Sequence, residues 1–185
     1  MMNVTKTAGL RAVAALGVAL LLAGLPGLSE ARDAGAYLGG NLSRISFDDT
    51  GGTSPHPIAI GMQLGYDFGP HLALEARGGT GLSGDSATVE GIDIDFKVKS
   101  FIGGYLRGTL PLSDSFDVYG LLGYASGKIS GSAMGITVSD SEDDLSWFVG
   151  AEYNFGTDSR NGLAIEWGQV VEDAKAVSIA YRYRF

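Results

Sequence analysis

The sequence predicts an all-β fold, an eight-stranded antiparallel up-and-down transmembrane β-barrel, and three observations carry that prediction. Apolar residues recur with period two along much of the chain, glycine supplies 29 of 185 residues, mostly singly between apolar neighbours, and the connections between alternating segments are short and long in turn. Period two is the repeat of an extended strand, whose successive side chains face opposite sides. Isolated glycines weaken a helix but suit a tightly curved sheet. Short turns at one end and longer loops at the other are the habit of membrane barrels.

The first 31 residues stand apart. Residues 1–11 carry Lys6 and Arg11 and no acid, residues 12–25 are uninterrupted small and apolar side chains, and Pro26-Gly27 breaks the run. Ser29 and Ala31 place small residues three and one before a cut. These features predict a cleavable secretory signal peptide over residues 1–31, a mature N-terminus at Arg32, and a single barrel domain over residues 32–185. A spanning helix needs about 20 apolar residues; the shorter run here weighs against an uncleaved anchor.

In the mature chain a first strand is expected over 34–47. Ile58, Ile60, Met62, Leu64, Tyr66 and Phe68 then alternate with Ala59, Gly61, Gln63, Gly65 and Asp67, and a third strand follows over 71–79. Ile92, Ile94, Phe96, Val98, Ile102 and Leu106 share one face of the fourth, opposite Asp93, Asp95, Lys97, Lys99, Tyr105 and Arg107. A fifth strand is expected over 116–128. Leu145, Trp147, Val149, Ala151, Tyr153 and Phe155 mark the sixth, Leu163, Ile165 and Trp167 the seventh, and Val177, Ile179, Tyr181, Tyr183 and Phe185 the eighth. Gly69-Pro70, 111–115 and 156–162 read as short turns, whereas 48–57, 80–91 and 130–144 read as longer polar loops. The short 171–176 is the exception among the latter.

Period two does not say whether the apolar face meets lipid or lines a cavity, as in a lipocalin-like carrier. Bulk decides for lipid: Trp, Tyr and Phe would overfill an eight-stranded interior, which is only just wide enough for side chains. Tyr66, Phe68, Phe116, Tyr153, Phe155, Tyr181, Tyr183 and Phe185 lie at strand ends next to short turns or the C-terminus and form one expected interfacial girdle; Phe47, Phe96 and Trp147 form the other. The opposite face then carries Glu75, Arg107, Glu152, Glu166 and Arg182 into the lumen at similar depth. Buried charges need partners, so a salt-bridge network is expected, with Glu166 to Arg182 and Glu75 to Arg107 as its pairs, plugging the pore. A narrow, wet ion path lined by the same residues is the alternative.

Other chemistry finds little support. A net charge of −8 and a pI near 4.6, without a basic run, argue against nucleic-acid binding. There are no cysteines, hence no disulfide or thiolate site. His56 and His71 fall at opposite ends of the expected barrel and cannot share a catalytic site or a metal. Asp140, Glu142, Asp143 and Asp144 lack the spacing of a calcium loop, and neither glycine pair, Gly51-Gly52 or Gly78-Gly79, matches a phosphate-cradling motif. No catalytic, cofactor-binding or metal residues are predicted, and a loop-based enzyme acting on lipid is the remote alternative.

The mature chain resembles the outer membrane β-barrel-domain proteins, which include small OmpA-like, OmpX-like and opacity-type barrels of Gram-negative bacteria. The resemblance rests on Ala36-Tyr37-Leu38-Gly39-Gly40-Asn41-Leu42, Phe101-Ile102-Gly103-Gly104-Tyr105-Leu106-Arg107, Val118-Tyr119-Gly120-Leu121-Leu122-Gly123-Tyr124, Val149-Gly150-Ala151-Glu152-Tyr153-Asn154-Phe155 and Tyr181-Arg182-Tyr183-Arg184-Phe185. It implies an outer-membrane barrel of the porin-family type with both termini periplasmic, contacts with outer-membrane lipid and lipopolysaccharide, and a structural or surface-interaction role. It also implies that periplasmic chaperones and the barrel-assembly machinery are partners during biogenesis, with Tyr181, Tyr183 and Phe185 as the C-terminal assembly signal. A monomer is expected.

Overall fold

The alternation sorts the chain into β1 (Gly35–Phe47), β2 (Ile58–Asp67), β3 (Leu72–Ser83), β4 (Asp85–Val89), β5 (Ile92–Ser113), β6 (Phe116–Ala133), β7 (Ile136–Phe155), β8 (Asn161–Val171) and β9 (Ala174–Arg184), with a 3-10 turn at Thr157–Ser159. The computed structural model describes residues 34–47, 56–89, 92–133 and 136–185; the expected leader over residues 1–31 lies outside them. Every pairing is antiparallel, and β1 closes the ring against β9, from Tyr37 opposite Arg184 to Phe47 opposite Ala174. β3 and β4 are two stretches of one stave, since both pair with β5, Gly79 opposite Phe101 and Asp85 opposite Phe96. The barrel therefore has eight staves, as the sequence predicts.

Two of the expected loops are largely strand. β5, β6 and β7 run for 22, 18 and 20 residues, where about 9–11 suffice to cross a bilayer. They extend past the ring, and with β4 they form a projecting sheet built from most of 80–91 and 130–144. β-branched Thr88, Val89, Ile136, Thr137 and Val138 are the signal for strand that these segments carry.

A bulge in β5 makes a second departure. Its register against β6 slips between Val98 and Ser100, leaving Lys99 as the extra residue, and an extra residue exchanges the two faces of a strand. Val98 is therefore buried inside the barrel while Ile102, expected on the same face, is exposed.

A second slip, between Gln169 and Val171 of β8, turns Val171 inward; along β2 and β9 the alternation holds. β2 exposes Ile58, Ile60, Met62, Leu64 and Tyr66 and buries Ala59, Gln63 and Asp67; β9 exposes Val177, Ile179, Tyr181 and Tyr183 and buries Ser178, Ala180, Arg182 and Arg184. All eight aromatics expected in the girdle beside the short turns are exposed, and Tyr66–Phe68, Tyr153–Phe155 and Tyr183–Phe185 form neighbouring ring pairs. The other girdle differs. Phe47 has the parity of Asn41, Ser43 and Ile45 and turns into the lumen, Trp147 meets the Trp167 ring edge-on at 5.1 Å, and the side chain of Phe96 lies outside the described residues. Where β7 turns into β8, Gly156 takes a φ of 83°, in the left-handed region that glycine enters without steric cost.

A charge lattice across the barrel lumen as the candidate functional site

Inward positions on five of the eight staves bring the charges together. Glu75 and Arg77 come from β3, Arg107 from β5, Glu152 from β7, Glu166 from β8, and Arg182 and Arg184 from β9; of these only Arg184 retains appreciable exposure, at 9%. Glu152 stands at the centre: its Oε2 accepts from Arg107 Nη2 and Arg182 Nη1, both at 2.7 Å, and its Oε1 accepts from Arg184 Nη2 at 2.7 Å. Arg77 donates through Nη1 and Nη2 to the two oxygens of Glu166, each at 2.7 Å, and through Nε to Glu75. Arg107 and Arg182 each approach Glu75 Oε2 at 3.9 Å, which links the Glu152 and Glu166 clusters into one lattice.

All five lumen residues predicted from sequence are in this lattice, but their pairing differs. Glu75 and Arg107 do meet, at the longer distance of 3.9 Å. Glu166 does not take Arg182. Across β8 and β9 Glu166 is opposite Ser178 and Arg182 opposite Gly162, an offset of four residues, or about 13 Å at ~3.3 Å per residue. Similar distance from a strand end does not give equal depth when the strands are staggered around a barrel. Arg77, which the sequence reading passed over, fills the place opposite Glu166.

Aromatic hydroxyls and rings complete the lattice. Tyr37 Oη donates to Glu75 Oε2 at 2.6 Å and Tyr119 Oη to Glu166 Oε1 at 2.5 Å. The guanidinium of Arg107 lies 3.6 Å from the Tyr119 ring centre and that of Arg182 4.7 Å from the Tyr37 ring centre, an attraction between cation and ring face that grows when water is excluded. Room for these rings comes from inward glycines on neighbouring strands. A Cβ on Gly65 would fall 2.2 Å from the Tyr37 ring, and one on Gly150 2.5 Å from the Tyr119 ring. An aromatic on the polar face of one strand beside a glycine on the next was the signal available in the sequence for both tyrosines.

The lattice has a polar margin on one side and an apolar one on the other. Toward the short turns, Arg184 reaches Asn154 Oδ1 at 2.9 Å and Asp67 Oδ2 at 3.4 Å, and Asn154 Nδ2 donates to Asp117. Toward the projecting sheet, Ile45, Val98, Tyr105, Phe148, Val171 and Ala176 pack around a residual cavity of about 40 Å³, space for a few water molecules. Charge pairs and apolar side chains thus follow one another along the lumen.

The remaining candidate residues are not assembled into a site. His56 and His71 flank opposite ends of β2; His71 is exposed, with Nδ1 3.2 Å from the Thr109 carbonyl oxygen. Glu142, Asp143 and Asp144 lie along β7, the side chain of Asp140 lies outside the described residues, and no group of three or more metal-ligating side chains occurs among the described residues.

Comparison with known proteins agrees with this architecture. The family model for the outer membrane protein beta-barrel domain matches residues 15–185. Neisserial surface protein A aligns at 15% identity with a TM-score of 0.60, over 85% of this chain and 100% of that one. The N-terminal β-barrel domain of Pseudomonas aeruginosa OprF aligns at 11% identity and 0.58, over 84% and 100%. Ail, the attachment invasion locus protein of Yersinia pestis, solved with the heparin analogue sucrose octasulfate, aligns at 21% identity and 0.53, over 82% and 97%. At these identities the likeness is one of fold. No curated protein matches the sequence. The chain belongs to the outer membrane protein beta-barrel domain family.

Proposed function

We propose that this outer-membrane barrel is a closed envelope protein, with a structural or surface-interaction role, whose lumen does not conduct. The observation that carries the reading is the lattice: three carboxylates and three guanidiniums, Glu75, Glu152 and Glu166 with Arg77, Arg107 and Arg182, are each 4% exposed or less and join into one connected set. An ion entering it must break charge-assisted hydrogen bonds in a medium of low dielectric constant. The apolar packing beyond it adds a desolvation barrier.

The projecting sheet is the natural place for surface contacts. In this reading both chain termini and the short turns face the periplasm, the β4–β7 sheet faces outward, and the exposed alternation Tyr181, Tyr183, Phe185 serves the assembly machinery. The barrel has no catalytic role. Liposome swelling tests the closed lumen: vesicles carrying the refolded protein are expected to swell in small sugars and salts no faster than protein-free vesicles, and swelling that scales with protein content overturns the reading.

A further inference from the structure

We propose that the mouth of the lumen above the lattice is a docking site for a cationic peptide segment carrying one aliphatic anchor residue. Ile45, Phe47, Val98, Phe148 and Val171 face one another there around a partly open cavity of about 40 Å³, with Asn41, Ser43 and the lattice's own Arg77 as its polar lining. An engineered cavity that takes benzene is roughly 150 Å³. The cup is therefore too small for an aromatic ring and suits the tip of an aliphatic side chain. Asn41 donates through Nδ2 to Ser43 Oγ at 2.9 Å, while its buried Oδ1 has no hydrogen-bond partner among the described residues. The lining thus keeps an acceptor that the chain itself does not satisfy.

The rim of the cup is acidic. On β7, Glu142 pairs with Gly127, which lines the cavity, and Asp144 pairs with Ala125, which is buried on the same inward face. Both carboxylates therefore stand on the lumen side beyond Phe148. The connection from β8 to β9 adds Glu172 and Asp173, exposed between the lining residues Val171 and Ala174. β7 and β8 pair only as far as Trp147 opposite Gln169, so Asp144 and Glu172 lie three residues past the last pair on adjoining strands. The described cations of this end do not offset them at the lumen. Arg77 is held by Glu75 and Glu166, Lys128 and Lys175 have the outward parity of Tyr124 and Val177, and Lys99 is the exposed residue of the bulge. Four carboxylates around an apolar cup repel phosphate and sulfate groups and steer ammonium and guanidinium groups to the mouth. Burying the aliphatic tip then adds an attraction that is not electrostatic.

This proposal rests on the surface-interaction role above and names its partner class; the closed lumen is a separate matter, because a dead-end cup binds without conducting. The folded protein in an uncharged detergent is titrated by calorimetry with the peptide Lys-Lys-Leu-Lys-Lys, and with versions in which Gly replaces Leu or Glu replaces every Lys. One Leu peptide per barrel is expected, bound about tenfold or more tightly than either control, with an affinity that falls as salt screens the rim. A Cβ on Gly127 would meet only Val171 Cγ1, at 3.9 Å, so G127L extends a side chain into the cup without forcing the backbone. G127L, which fills the cup, and E172Q/D173N, which neutralises half of the rim, should each weaken binding about tenfold while heat-modifiable gel migration and vesicle swelling stay as in the wild type. No binding, equal binding of the Glu or the Gly peptide, or binding unaffected by either variant would overturn the proposal and leave the closed lumen standing.

Discussion

Replacing Glu152 by Gln should cost the barrel about 3 kcal/mol, because this carboxylate is the acceptor on which three guanidiniums converge. Arg107 and Arg182 share its Oε2 and Arg184 takes its Oε1, all at 2.7 Å. Glutamine keeps the volume but presents one oxygen and one NH2 group. With the amide oxygen turned to Arg107 and Arg182, two contacts survive as weaker charge-to-neutral bonds, and the NH2 opposes Arg184. Removing one member of a buried pair costs about 3–5 kcal/mol. The lower end applies here because Arg107 and Arg182 keep Glu75 at 3.9 Å, and Arg184 keeps Asn154 at 2.9 Å and Asp67 at 3.4 Å. At about 1.4 kcal/mol per factor of ten, the folded-to-unfolded ratio should fall roughly a hundredfold. Reversible urea unfolding in lipid vesicles, followed by tryptophan fluorescence and by the gel shift of the folded barrel, measures the change. Exchanging Arg182 for Met in the same background should restore part of the loss by removing one uncompensated charge. A change below about 1 kcal/mol would refute the account, since a surface pair costs that little.

Three further outcomes follow from the same geometry. Tyr119→Phe removes the hydroxyl that donates to Glu166 Oε1 and leaves the ring over Arg107 in place; a loss of about 1.5–3 kcal/mol is expected in the same unfolding assay, the range for a hydrogen bond to a charged group. Phe185→Ala should lower the amount of folded protein recovered in the outer-membrane fraction of expressing cells while barely changing the stability of the refolded barrel, because that ring is 70% exposed and meets the Tyr183 ring edge-on. Terminal sequencing of the membrane-extracted protein should begin at Arg32, as small residues at 29 and 31 require.

How much of this was legible in the sequence follows from what period two can and cannot encode. It set the faces of β2 and β9, whose large apolar residues point outward and whose inward ones are small or polar, and of β8 as far as Gly168, and it put Glu75, Arg107, Glu152, Glu166 and Arg182 inside. Depth was not encoded. Strand stagger decides which inward charges meet, so Glu166 faces Arg77 in place of Arg182. Nor does the period mark a place where it breaks: the bulge at Lys99 turns Val98 inward in an otherwise regular alternation. Tyr37 and Tyr119 fill the interior because Gly65 and Gly150 on the neighbouring strands leave space beside them, a relation between strands that no single segment displays, whereas Gly103 makes room for Tyr105 from the same strand. The added strand in 80–91 and 130–144 was missed for another reason: it is marked in the sequence by little more than β-branched Thr88, Val89, Ile136, Thr137 and Val138.

Recording from the refolded wild-type protein in a planar lipid bilayer tests the closed lumen most directly. The lattice and the apolar packing above it predict a quiet membrane under applied voltage, with conductance steps appearing only when lattice residues such as Arg182 are replaced by Ala. Stable open steps from the unaltered protein, carried by ions passing Glu152 and its three arginines, would contradict the account.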